Sequence, residues 1–306
     1  MKESSKVKNV LFCIWVIVAI LLIQLGVSAA IAIPIGVMSY FETGGDMVKY
    51  MEVYTNKLTS SNIVTIMTLV STLISLIVSF TWFYRGYYKK KKEAGLAESI
   101  LPKLKDVNSV VFLLAGMIST YSLAVIIQEL VVLAMPNVNS MYQTAMSLSL
   151  GQDTAMGIII ALIVAPINEE LICRGIVIER SKRSFGIIGC IVVSSLMFAF
   201  YHMNPIQGLY VLPMGIFWGY IAYKFNSVII PIIGHIINNC IAMTIGNNID
   251  FSKYWWLIIL VFAASFAVLF VFGKKSEVLK KGTGESECIE EIESDEETEK
   301  AESTEE

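Results

Sequence analysis

Long apolar stretches, separated by short polar segments, run through most of the chain. A helix needs about 20 mainly apolar residues to cross a bilayer, because each residue advances it by about 1.5 Å. The stretches therefore predict an all-α, polytopic membrane protein with about eight transmembrane helices. Their predicted positions are 9–35, 62–84, 109–134, 155–179, 186–203, 208–224, 227–246 and 255–272.

Composition supports a membrane protein and argues against a soluble domain. Of the 306 residues, 55% are apolar and 16% are charged, and the mean hydropathy is +0.66. The five cysteines are scattered without a CxxC pair, so no disulfide framework is indicated. Because no basic patch carries interleaved aromatic residues, nucleic acid is not an expected partner, whereas the lipid bilayer is.

Basic residues are distributed unevenly between the predicted loops. If the N-terminus is cytoplasmic, 19 of the 23 Lys and Arg residues fall on that side of the membrane. Lys49, Lys57 and Lys253 fall on the other side. Cytoplasmic loops carry an excess of Lys and Arg. We therefore expect a multi-pass protein of the cell membrane with both termini in the cytoplasm.

These patterns divide the chain into three parts. Residues 1–154 are expected to form three N-terminal membrane helices with their loops. Residues 155–272 would form the core helices, which carry the candidate functional residues, together with the final helix. Residues 273–306 begin basic, become acidic and contain almost no aromatic residues, which predicts a disordered cytoplasmic tail.

The fourth predicted helix contains three charged residues, Glu169, Glu170 and Arg174. Each costs roughly 2.5–3.5 kcal/mol at the centre of a membrane helix, so together they indicate a functional site. Glu170 and Arg174 are four residues apart and can pair on one helix face. Glu169 points about 100° away and is left to act as a base. Pro166 lacks an N–H, so a carbonyl one turn upstream should lose its usual partner.

The only two histidines, His202 and His235, also lie in apolar segments. Phe198 and His202 share a face of the fifth helix, and His235 and Asn239 share a face of the seventh. A lone buried histidine is usually structural, but two imidazoles with Glu169 suit the activation of water, with or without a metal. A full-length fifth helix would place His202 about 24 Å from its cytoplasmic end, deeper than the other candidates.

Three motifs in this order resemble those of a known family: EExxxR from Glu169, FxxxH from Phe198 and HxxxN from His235. They are similar to the motifs of the CPBP family, which comprises CAAX proteases, bacteriocin-processing and Abi-like proteins. This family of intramembrane proteases includes the type II CAAX prenyl endopeptidase. The GxxxG motif from Gly215 also resembles the family core. The resemblance covers about 160–245, and the first three helices and the tail carry none of it.

The resemblance implies an intramembrane endopeptidase and a role for each matching residue. Glu169 would be the general base, and His202 would act on the same water or polarise the scissile carbonyl. His235 and Asn239 would stabilise the oxyanion. The supporting residues would be Glu170 and Arg174.

The resemblance also implies a choice of mechanism and a class of substrate. A zinc ion would be held by Glu169, His202 and His235. Because a metal would occupy the only obvious base, we favour a metal-free glutamate mechanism. The expected partner is a membrane peptide or protein substrate, and the expected setting is bacteriocin immunity or peptide maturation.

Two other functions stay open at this point. A non-proteolytic scaffold of the same fold would regulate a membrane partner. An ion or proton transporter would use the buried acids as a relay, but the chain shows no internal repeat of the kind common in transporters.

Overall fold

The computed structural model describes residues 2–97, 99–135, 137, 155–246 and 251–280. These residues are mostly helical and contain no β-strand, which confirms the all-α prediction. The main helices are α1 (Lys2–Glu42), α2 (Met47–Leu58), α3 (Ser61–Glu93), α4 (Leu101–Leu104), α5 (Val107–Ala134), α6 (Ala155–Ser181), α7 (Ile187–Tyr201), α8 (Pro205–Phe225), α9 (Ile229–Ile241), α10 (Trp255–Lys275) and α11 (Glu277–Lys280).

Five helices in the described part of the chain, α1, α3, α5, α6 and α10, are long and apolar enough to cross a membrane. The others fall short for two reasons. Helix α7 has 15 residues and is about 22 Å long, whereas the hydrocarbon core of a bilayer is about 30 Å thick. Helix α9 is also short. Helix α8 has 21 residues, but Gln207 and Pro213 interrupt its apolar sequence. The eight predicted segments are therefore helical, but a count of eight transmembrane helices is not confirmed.

Segments that were predicted to share the cytoplasmic side meet at one end of the helical body. Lys91 near the end of α3 lies 3.2 Å from the carboxylate of Glu179 in α6 and also hydrogen-bonds Asn226, which follows α8. Lys103 donates to the carbonyl oxygen of Phe225 at 2.7 Å. Lys91 thus joins the end of α3 to α6 and to the end of α8, and Lys103 joins α4 to the end of α8.

The C-terminal helix α11 is attached at this same end. Asp106, the N-cap of α5, accepts hydrogen bonds from the Ser109 hydroxyl (2.6 Å) and from the backbone N–H of Glu277 (3.0 Å). The hydrogen bond from Ser109 is the main cause that lowers the pKa of Asp106 below its usual value. Residues up to Lys275 belong to α10 and Glu277–Lys280 form α11, so the start of the segment predicted to be a disordered tail (273–306) is largely helical. Leu279 of α11 is buried. The rest of that tail lies outside the described residues.

Helices α7 and α8 pack closely against each other. Asn204 caps α8, because its Oδ1 accepts from the N–H of Ile206 at 3.0 Å. A Cβ atom on Gly215 would lie 3.3 Å from the Cα of Ser195, so glycine permits this close approach of the two backbones. The same approach brings the carbonyl oxygen of Gly215 to Arg174 of α6.

Candidate active site

Glu170, Arg174 and His235 form a buried ionic cluster between α6 and α9. Arg174 Nη1 donates to Glu170 Oε1 at 2.9 Å, and Nη2 donates to the carbonyl oxygen of Gly215 at 3.2 Å. Glu170 Oε1 also lies 2.8 Å from His235 Nδ1. The side chains of Glu170 and Arg174 are fully buried. The pair expected from the sequence is present, and His235 is a further partner that the sequence did not predict.

Glu169 faces the other ring nitrogen of His235. Its Oε2 lies 3.8 Å from His235 Nε2, which is too far for a hydrogen bond but allows both atoms to contact one water molecule. Because the carboxylate of Glu170 accepts the proton of Nδ1, Nε2 is the nitrogen presented to Glu169. The Glu169 side chain is 15% exposed, whereas that of Glu170 is fully buried. The two adjacent carboxylates therefore have different environments.

The ring of Phe198 connects His202 to this cluster. His202 Nδ1 lies 2.8 Å from the carbonyl oxygen of Phe198. Since a carbonyl only accepts, Nδ1 donates a proton to it, and this bond leaves Nε2 unused. The Phe198 ring centroid lies 4.8 Å from that of His202 and 5.6 Å from that of His235, and the Arg174 guanidinium lies 4.4 Å above it.

This shared contact brings the two histidines to one phenyl ring. His202 follows the last residue of α7, at the end of the helix opposite its start at Ile187. The depth of His202 in the membrane stays a prediction.

Asn239 bonds to a carbonyl group that Pro166 leaves without a partner. Residues Ile160–Val164 form a π-helical turn, in which each N–H donates to the carbonyl five residues back. In that pattern Pro166 would donate to the carbonyl of Ala161, but proline has no N–H. Asn239 Nδ2 donates to this carbonyl at 3.1 Å instead. Asn239 thus joins α9 to α6 and keeps one amide N–H for other partners.

Three further polar residues near the site were not predicted to be important. Asn168 and Tyr201 are hydrogen-bonded to each other at 3.2 Å. Asn238 is 1% exposed, and its side-chain atoms have no hydrogen-bond partner among the described residues. A signal for Asn168 was present in the sequence, because Ser75 and Ser79 place two hydroxyl groups one turn apart on an apolar helix.

The alternative zinc site is not formed in this arrangement. No group of three or more His, Cys, Asp or Glu side chains in the described part of the chain is placed to hold a metal ion. The set of Glu169, His202 and His235 therefore does not fit zinc as the side chains stand.

The helical fold and the buried cluster of Glu, His and Arg define an integral membrane protein with a site suited to activating water. Residues 151–241 match the family model described as Rce1-like, type II CAAX prenyl endopeptidase. The match confirms the resemblance seen in the motifs and supports membership of the CPBP family. The matched segment contains Glu169, His202, His235 and Asn239. No curated protein and no solved structure matches the chain.

Proposed function

We propose that the protein is an intramembrane endopeptidase that hydrolyses a peptide bond of a membrane-associated peptide or protein. The observation that carries the proposal is the 3.8 Å approach of Glu169 Oε2 to His235 Nε2. The family match supports the protease class. A carboxylate and an imidazole nitrogen that converge on one point can hold a water molecule and remove its proton.

In this proposal Glu169 is the general base. It takes a proton from the water molecule while the water oxygen attacks the scissile carbonyl carbon. Glu169 then delivers the proton to the leaving nitrogen as the C–N bond breaks. The fully buried neighbour, Glu170, holds His235 and Arg174 in place.

The hydrogen bonds of the imidazoles support a division of roles that differs from the one the resemblance implies. Both rings donate from Nδ1, His235 to Glu170 and His202 to the Phe198 carbonyl. In the neutral rings the Nε2 atoms then have a lone pair, which accepts a hydrogen bond from water and does not donate one to an oxyanion. We assign both histidines to orienting the water. The free amide N–H of Asn239 is the proposed oxyanion donor.

The biological setting forms the finer part of the proposal. The family description suggests a CAAX-type, lipid-linked substrate, and the resemblance to bacteriocin-processing proteins suggests peptide maturation or bacteriocin immunity. We propose a location in the cell membrane with both termini cytoplasmic. The meeting of the basic segments at one end of the helical body supports this orientation.

Replacing Glu169 tests the proposal. Glu169→Gln keeps the size of the side chain and removes the base, so cleavage should fall by about 10²–10⁴-fold. The assay is hydrolysis of an internally quenched, farnesylated CAAX peptide by the purified protein in lipid vesicles. Glu93→Gln is the matched control, because it makes the same change at an exposed residue of α3.

Two results would contradict the proposal. One is a folded wild-type protein that does not cleave the peptide. The other is a Glu169→Gln variant that cleaves it as fast as the Glu93→Gln control. Full biological activity of Glu169→Gln would favour the scaffold function instead.

A further inference from the structure

The amide of Asn168 joins α6 to two other helices. Asn168 is 1% exposed and directly precedes Glu169. Its Nδ2 donates to Ser75 Oγ at 2.8 Å and to the Tyr201 hydroxyl at 3.2 Å, and its Oδ1 accepts from Ser79 Oγ at 2.7 Å. Both N–H groups of the amide are thus used. The orientation of Asn168 is therefore fixed by α3 and α7.

Tyr201 extends this network to α1. Its hydroxyl oxygen accepts a hydrogen bond from Gln24 Nε2 at 2.8 Å as well as the one from Asn168. Tyr201 is the last residue of α7 and directly precedes His202. The network therefore touches the immediate chain neighbours of two residues that the proposed mechanism uses, Glu169 and His202.

We propose that Asn168 and Tyr201 are positioning residues for water activation by Glu169 and His202. Adjacent residues of a helix point about 100° apart. Fixing Asn168 against α3 and α7 therefore sets the direction of Glu169, which faces His235 of α9. This inference rests on the proposed function and adds residues that none of the three motifs specifies.

Tyr201→Phe breaks the link to α7 and keeps the hydrogen bonds of Asn168 to Ser75 and Ser79. The single O–H of Ser79 lies between Asn168 Oδ1 at 2.7 Å and the carbonyl oxygen of Leu76 at 3.1 Å. Tyr201→Phe removes one oxygen atom and keeps the ring, so Asn168 and Gln24 lose their shared acceptor. Asn168 is then held by α3 alone, through Ser75 and Ser79. A misplacement of about 1 Å at a catalytic group can lower a rate about 10²-fold.

The experiment compares kcat and KM for the farnesylated peptide in vesicles. For Tyr201→Phe we expect kcat to fall about 10- to 100-fold while KM stays within about threefold, because positioning acts on the chemical step. Ser109→Ala is the matched control, since it removes a buried interhelical contact, Ser109 Oγ to Ser276 Oγ at 2.6 Å, away from the site. It should leave kcat per folded molecule unchanged.

Asn168→Leu is a second variant, because leucine is similar in size to asparagine but cannot form its hydrogen bonds. We expect the same fall in kcat as for Tyr201→Phe. Because the two residues act as one unit, the Asn168→Leu/Tyr201→Phe double variant should be little slower than either single variant. Additive losses in the double variant would overturn the proposal.

The remaining outcomes separate this inference from the proposed function. If Glu169→Gln abolishes cleavage but a folded Tyr201→Phe or Asn168→Leu variant keeps the wild-type kcat, the positioning role alone is overturned. If the folded wild-type protein does not cleave the peptide, the proposed function is overturned, and this inference with it.

Discussion

Replacing Arg174 with alanine should be among the most destabilising single changes near the site. The substitution removes three contacts: to Glu170 Oε1 at 2.9 Å, to the Gly215 carbonyl at 3.2 Å and to the Phe198 ring at 4.4 Å. Both charged side chains are fully buried. Breaking a buried ion pair from one side costs roughly 3–5 kcal/mol. This corresponds to a factor of about 10²–10⁴ in the folding equilibrium constant.

Denaturant titration in mixed micelles measures the free energy of unfolding and so tests the predicted loss. Lys89→Ala is the control, because it breaks an i,i+4 pair with Glu93 that is more than half exposed (3.6 Å) and should cost no more than about 1 kcal/mol. Changing Glu170 to Gln and Arg174 to Met together should restore part of the stability, since no buried charge of that pair is left unpaired. A loss in Arg174→Ala no larger than in the control would refute the reasoning.

Two further predictions concern the end of the helical body where α11 is attached. The pKa of Asp106 is lowered in the folded protein, so its contribution to stability is complete above about pH 4, the usual aspartate value. That contribution is lost as the pH falls through the pKa of Asp106 in the folded protein. Asp106→Asn should therefore remove this part of the pH dependence of the melting temperature. An unchanged pH profile in Asp106→Asn would contradict the assignment. A phosphatase that is active only outside the cytoplasm should be inactive when fused after α11, and an active fusion would reverse the proposed orientation.

The spacing of residues along one helix predicted local geometry well. Glu170 and Arg174 pair as their i,i+4 spacing indicates, and Phe198 and His202 are in contact as predicted. The sequence did not predict that Glu170 would also bind His235. These two residues are 65 positions apart, and their contact depends on how α6 packs against α9.

Asn239 shows how tertiary structure changes the interpretation of a motif. Its spacing from His235 predicted a shared face, and the motif suggested an oxyanion donor. The structure shows that one of its N–H groups is already used by the carbonyl of Ala161, which Pro166 leaves without a donor. The loss of a bond at the proline was predicted, but its replacement partner was not, because that partner lies on another helix.

The sequence by itself determined the all-helical membrane class and the helical segments, because apolar length and turn spacing are properties of a single helix. It also determined which charged residues lie within those helices. Tertiary structure alone decided that His235 lies between Glu170 and Glu169, and that Asn168 meets Tyr201. The physical reason is that a polar group among apolar helices must find a partner. That partner is set by the packing of segments that lie far apart in the chain.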